Sequence, residues 1–351
     1  MLQQDEMYMQ RCLQLAKQGV GYVAPNPMVG AVLVYEARII GEGYHKKYGE
    51  AHAEVNCIAS VKEDDKLLIE KSILYVSLEP CAHYGKTPPC SDLIIRNKIP
   101  KVIIGCRDPF KEVNGKGIEK LLSAGADVVT GILEKDCKEL NKRFFTFHTK
   151  KRPYIILKWA QTADKKIAAY GNERLIISNI LTNRLVHKWR SEEAAILVGT
   201  NTAIADDPVL TNRLWSGKNP VRLVIDKDLK VPANANIYNE EAATIVFNFH
   251  KTTIDTRSAL INKTYFYKID GNKTLINQIM EACYTLNIQS VLVEGGAKLL
   301  QLFLNEKLHD EIRVITNETM VINDGLNAPV FNGINKLHSE FIETDRIEVF
   351  R

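Results

Sequence analysis

The side chains best suited to chemistry fall in two short segments. Glu50-Ala51-His52-Ala53-Glu54 sets a carboxylate two residues after a histidine, and Glu79-Pro80-Cys81 is followed, after eight intervening residues, by Cys90. One imidazole and two thiolates make a zinc set of three protein ligands that leaves a fourth position for water. Zinc acidifies such a water toward neutral pH. A carboxylate placed like Glu54 then carries the proton to a departing amine, the arrangement of zinc-dependent hydrolytic deaminases. Taken separately, His-x-Glu is a common pattern and two cysteines nine apart are usually buried thiols. In this order, each at a strand–helix junction, they point to a metal centre with Glu54 as its proton carrier.

The elements that must position these residues are legible from periodicity. Residues 7–18 carry apolar side chains at helical spacing, and a turn follows at 24–27. Gly30–Tyr35 and Arg38–Tyr44 read as a hairpin. A helix over 52–62 opens on His52, a strand over 72–78 leads to Cys81, and a helix over 91–97 begins at Cys90. First-turn positions there favour thiolate over thiol, through unpaired amides and the helix dipole. A strand at 101–106, a helix at 116–124 and a strand at 127–130 complete an α/β alternation, which implies a sheet covered on both faces.

The chain becomes charged over 134–152, ending in Lys150-Lys151-Arg152-Pro153, and the domain boundary is placed here: 1–148 and 149–351. Strands are expected at 154–158, 195–198, 221–225, 244–249, 290–293 and 311–316, with helices at 179–190, 273–286 and 297–305. Val293-Glu294-Gly295-Gly296-Ala297 ends a strand and opens a helix, where glycines let backbone amides approach a phosphate. It lacks the Gly-x-Gly-x-x-Gly fingerprint of an ordinary Rossmann domain.

At 351 residues two domains are expected, and 45% hydrophobic with 25% charged residues is ordinary for a globular protein. The net charge of +4 is spread along the chain, which suits an anionic small molecule and not a nucleic-acid grip. No apolar run is long enough to span a bilayer, and the N-terminus lacks the features of a signal peptide. Seven scattered cysteines fit reduced thiols in the cytoplasm.

The runs Pro25–Gly30, Tyr48–Glu54 and Leu78–Cys90 together closely resemble the RibD family of riboflavin-biosynthesis proteins. The resemblance covers essentially the whole chain. It implies a cytidine-deaminase-like three-layer α/β/α domain followed by a dihydrofolate-reductase-like α/β domain. The implied activities are zinc-dependent deamination of a phosphoribosyl diaminopyrimidine and NADPH-dependent reduction of its ribosyl group to ribityl. The eight-residue insert between Cys81 and Cys90 is a family mark, since cytidine and tRNA-adenosine deaminases generally have two residues there. Carried over by position, Asn26, His45, His83, Lys86 and Thr87 touch the deaminase substrate, with Asn26 reading the amide-like edge of the pyrimidine.

In the second half, Ile196–Gly199, Ala205–Pro208, Leu210–Arg213 and Val221–Asp226 look like the family's reductase. By the same carry-over, Ala160, Thr202, Asp206 and Gly296 line NADPH, while Arg190, Leu210, Arg213 and Glu294 face the substrate. Two departures stand out: Lys165 replaces a glycine close to the expected nicotinamide, and Glu173 replaces a small hydroxyl residue. They raise the alternative of a deaminase whose second domain no longer reduces. Relatives imply self-association, and neither nucleic acid nor membrane is expected as a partner.

Overall fold

The computed structural model describes residues 2–84, 88–171 and 175–351, and the chain divides into two compact units, Met1–Lys151 and Arg152–Arg351. In chain order the first holds α1 (Leu2–Ala16), β1 (Gly30–Tyr35), β2 (Arg38–Tyr44), α2 (Ala53–Ala59), β3 (Ile73–Leu78), α3 (Cys90–Arg96), β4 (Lys101–Cys106), α4 (Lys116–Ser123), β5 (Asp127–Thr130), α5 (Glu134–Leu140) and α6 (Lys142–Lys150).

The first unit's strands form one sheet in the order β2-β1-β3-β4-β5 among the described residues. β1 pairs antiparallel with both β2 and β3, and β3, β4 and β5 run parallel. Alternation along β1 sends Ala31 and Leu33 to one face, where Ala53 and Cys57 of α2, Ile94 of α3 and Leu121 of α4 pack. Val32 and Val34 go to the other face, against Met9, Cys12 and Leu13 of α1 and Cys137 of α5. The result is three layers. The charged stretch 134–150 is largely helical; of its apolar minority Cys137, Phe144 and Phe147 are buried, and Leu140 and Phe145 partly so.

The second unit contains β6 (Tyr154–Thr162), β7 (Lys166–Ala168), α7 (Ile180–Glu192), β8 (Ala195–Gly199), α8 (Thr200–Ala205), β9 (Val221–Ile225), β10 (Thr244–Asn248), β11 (Thr264–Lys268), α9 (Leu275–Thr285), β12 (Ser290–Val293), α10 (Ala297–Asn305), β13 (Glu311–Asn317), β14 (Leu326–Asn327), β15 (Lys336–Ile342) and β16 (Asp345–Phe350). Its main sheet runs β11-β10-β9-β8-β12-β6-β13-β16-β15. The first seven strands in that order are mutually parallel, and the β15–β16 hairpin closes one edge antiparallel. α9 and α10 cover one face through Ile279, Met280, Leu300 and Phe303, and α7 lies on the other through Val186 and Trp189. The carboxyl ends of β6, β8 and β12 adjoin one another, the kind of edge where open α/β sheets bind ligands.

Candidate active sites

In the first unit, α2 begins at the end of an extended segment, with His52 as its N-cap residue at φ −72° and ψ 169°. The helix lies unusually close to β2. A β-carbon on Gly43 would sit 2.2 Å from the Cys57 nitrogen and 2.6 Å from the Ala53 carbonyl oxygen, so only glycine allows this seat. β3 delivers Glu79, Pro80 and Cys81 beyond its carboxyl end, and Cys90 is the first residue of α3.

These supports bring the metal-ligating atoms together. His52 Nδ1 lies 3.6 Å from Cys81 Sγ and 3.3 Å from Cys90 Sγ, and the three ligand atoms all lie within 4.8 Å of one another. Zinc bonds of about 2.3 Å to sulfur and 2.0 Å to nitrogen give a tetrahedral S···N edge of roughly 3.5 Å. The residues therefore fit zinc in both donor type and spacing. The Cys90 backbone N–H donates to Cys81 Sγ at 3.3 Å. The hydrogen bond between the two thiols draws Cys81 down to about 4, with His52 acting in the same direction.

Glu54, in the first turn of α2, is buried, and burial followed by the charge on Cys81 pushes its carboxyl group above the usual range. His45 is buried next to the triad, its ring edge-on to His52 with centroids 5.3 Å apart. Its Nδ1 faces the Ala51 carbonyl oxygen at 3.0 Å and its Nε2 faces Asn26 Nδ2 at 3.2 Å. The His83 ring lies 6.0 Å from that of Phe110, and its buried Nδ1 has no hydrogen-bond partner among the described residues. Lys86 and Thr87 lie outside the described residues.

Sequence reasoning missed Glu79. Its buried carboxylate accepts backbone N–H bonds from Asp108 and Gly115 on one oxygen and from Gly117 and Ile118 on the other. The strand that bears Cys81 is thereby tied to the start of α4.

In the second unit, Glu294 follows β12 and receives a bidentate pair from Arg190 at 2.9 and 2.7 Å, with Lys158 Nζ 3.9 Å away. Burial alone would raise the Glu294 carboxyl, but Arg190 and Lys158 hold it at about 2. Arg190 also reaches the Thr211 carbonyl at 3.4 Å. The Arg213 backbone N–H donates to His187 Nδ1 at 2.9 Å, and Leu210 is buried at a positive φ of 54°. Burial, followed by the charges of Arg190 and Arg213, holds His187 down at about 4 and therefore neutral. Lys158, Arg190 and Arg213 against Glu294 leave an excess of positive charge.

Gly296 caps α10 at φ 41°, and a β-carbon there would lie 3.1 Å from Thr202 Oγ1. A β-carbon on Gly295 would meet Val198 Cα at 2.6 Å. The cradle between β8 and β12 thus needs both glycines and sets the α10 amides beside Thr202, a fit for a dinucleotide phosphate. Ala160 lies on β6, and Asp206 caps the carboxyl end of α8 with its side chain exposed. Lys165 stands at φ 60°, its amide bonded to the Thr162 carbonyl and its side chain in solvent. Glu173 lies outside the described residues.

Comparisons with known proteins agree with both halves. Residues 2–106 match the profile of the cytidine and deoxycytidylate deaminase zinc-binding region, and residues 153–321 match that of the RibD C-terminal domain. The riboflavin biosynthesis protein RibD of Aquifex aeolicus is 42% identical, covering 92% of this chain and 89% of its own. That of Escherichia coli is 33% identical over 95% and 93%. A Thermotoga maritima structure, a diaminohydroxyphosphoribosylaminopyrimidine deaminase/5-amino-6-(5-phosphoribosylamino)uracil reductase, superposes with a TM-score of 0.87 at 35% identity, covering 100% of this chain and 99% of that one. A zinc-binding deaminase region, a reductase domain and relatives matched along nearly their whole length place this chain in the RibD family of riboflavin-biosynthesis proteins.

Proposed function

We propose that the chain deaminates 2,5-diamino-6-(5-phosphoribosylamino)pyrimidin-4-one in residues 1–148 and reduces the ribosyl side chain of the product with NADPH in residues 149–351. The observation that carries the first step is the convergence of His52, Cys81 and Cys90 beside the buried Glu54. Zinc held by these three residues supplies an acidified water as nucleophile. Glu54 takes a proton from that water and gives it to the departing amine. A carboxyl with raised proton affinity suits both transfers. Asn26 meets the pyrimidine edge, and His83, Lys86 and Thr87 hold the ribose phosphate.

In the reductase, Ala160, Thr202, Asp206 and Gly296 line NADPH, which supplies the hydride for C1 of the ribosyl group. Arg190, Leu210, Arg213 and Glu294 face the substrate. The surplus of cations among Lys158, Arg190 and Arg213 favours a phosphate dianion, and Glu294 holds Arg190 in place by its bidentate pair. Lys165 supports an active reductase, because its side chain points to solvent.

A cytoplasmic, self-associating enzyme completes the reading. All seven cysteines are free, and no helix among the described residues is long and apolar enough to cross a membrane. Supplying the purified protein with the diaminopyrimidine substrate and NADPH, then weighing the products, tests both steps. A deaminated ribityl product is expected. A deaminated product that keeps its ribosyl group, with NADPH unspent, overturns the second half.

A further inference from the structure

His45 stands next to the metal centre, yet both of its ring nitrogens are used inside the protein. The Ala51 carbonyl can only accept, so the nitrogen facing it, Nδ1 at 3.0 Å, carries the hydrogen. Nε2 is then left with a lone pair, and its neighbour must be a donor. Asn26 presents Nδ2 there, at 3.2 Å. With the Asn26 amide turned over, its oxygen would face that lone pair and repel it. A backbone carbonyl thus fixes the His45 tautomer, and the tautomer fixes which way round the Asn26 amide lies. One N–H of Asn26 is spent on His45, whereas Oδ1 and the second N–H have no hydrogen bond among the described residues.

We infer that His45 is a positioning residue. It makes no hydrogen bond to the pyrimidine but orients Asn26 so that Oδ1 and the free N–H clasp a lactam edge in one sense only. The inference rests on the deaminase reading above. A lactam offers N–H and C=O side by side, and an amide of fixed orientation pairs with it only one way round. That decides which ring carbon is turned toward the metal, the one bearing the amine or the one bearing the carbonyl oxygen. The relay starts at Ala51, the residue before the ligand His52, and Asn56 Nδ2 also donates to the Ala51 carbonyl at 3.3 Å. The orientation of Asn26 is therefore referred to the same segment that sets the metal.

A double-mutant cycle in deamination kcat/KM, normalised to bound zinc, tests this with wild type, N26A, H45L and N26A/H45L. Loss of the paired contact in N26A is expected to cost about 100-fold and H45L about tenfold, with the double variant within about twofold of N26A. Multiplying losses would overturn the inference, because a direct substrate contact or a separate structural role for His45 both give that result. N26A at wild-type kcat/KM would overturn it as well. The long-range ¹⁵N–¹H spectrum of the wild-type protein gives a second measurement that needs neither activity nor a folded variant. His45 is expected with Nδ1 protonated and Nε2 bare, and the opposite tautomer overturns the inference. Absence of any deamination by zinc-loaded wild type would instead sink the deaminase reading, and the spectrum would still decide the tautomer.

Discussion

Single residues divide the chemistry. With Glu54 as the proposed proton carrier of the deaminase, E54Q is expected to lower deamination by about 10³-fold while bound zinc and NADPH consumption with the deaminated intermediate stay at wild-type levels. Metal analysis and the two assays on one preparation check this. His187 gives a pH signature. Its pKa is about 4 in the fold against an ordinary 6.5, so the unfolded chain binds more protons between those values. Stability is therefore lost as pH falls through that window, by roughly 3 kcal/mol at most. H187Q is expected to flatten the decline in urea midpoint between pH 6.5 and 4. Lys165 occupies the left-handed backbone region at φ 60°, which costs a side-chain-bearing residue about 1 kcal/mol. K165G is thus expected to raise thermal stability slightly, with reduction unchanged.

At the scale of elements, α2 carries both His52 and Glu54, and its place depends on the bare surface of Gly43. G43A must push the helix off β2, costing about 1–3 kcal/mol, and zinc content is expected to fall with deamination. Arg222 in β9 is fully buried and, among the described residues, its side chain bonds to neutral oxygens, those of Val209, Asn236, Asn239 and Ala242. R222M takes a donor from each of these oxygens and is expected to cost about 3 kcal/mol or more by denaturant titration.

Six strands, among them Gly30–Tyr35, Lys101–Cys106 and Ser290–Val293, run where periodicity placed them. β15 escaped because only Ile342 is even partly covered, leaving no alternation to read. α5 and α6 escaped because few apolar residues interrupt a charged run. The convergence of His52, Cys81 and Cys90 was legible, since imidazole and thiolate at strand–helix junctions have few other uses. Lys158 was not: a charge after Tyr154–Leu157 reads as the end of a strand, whereas β6 continues to Thr162 with Lys158 half-buried beside Glu294. His187 looked like any histidine on a helix, and only the fold brings the Arg213 amide to it.

For the whole molecule, the two candidate sites lie in separate compact units, and among the described residues metal-ligating side chains gather in only one of them. Chelation is therefore expected to abolish deamination and leave reduction of added deaminated intermediate intact. Loss of both activities on chelation would contradict that division.

The Glu79 carboxylate has a consequence for how such an enzyme can be altered. The amides it gathers lie on both sides of residues 109–114, so both ends of that segment are moored to the strand bearing Cys81. The ends stay together whatever lies between them, and a change of length there adds only a small closure cost. Within the segment two side chains are committed: the Phe110 ring is set between those of His83 and His148, and Val113 is buried. Residues 109–114 thus form a cassette for altering the surroundings of an untouched metal centre, with Phe110 and Val113 as its fixed letters.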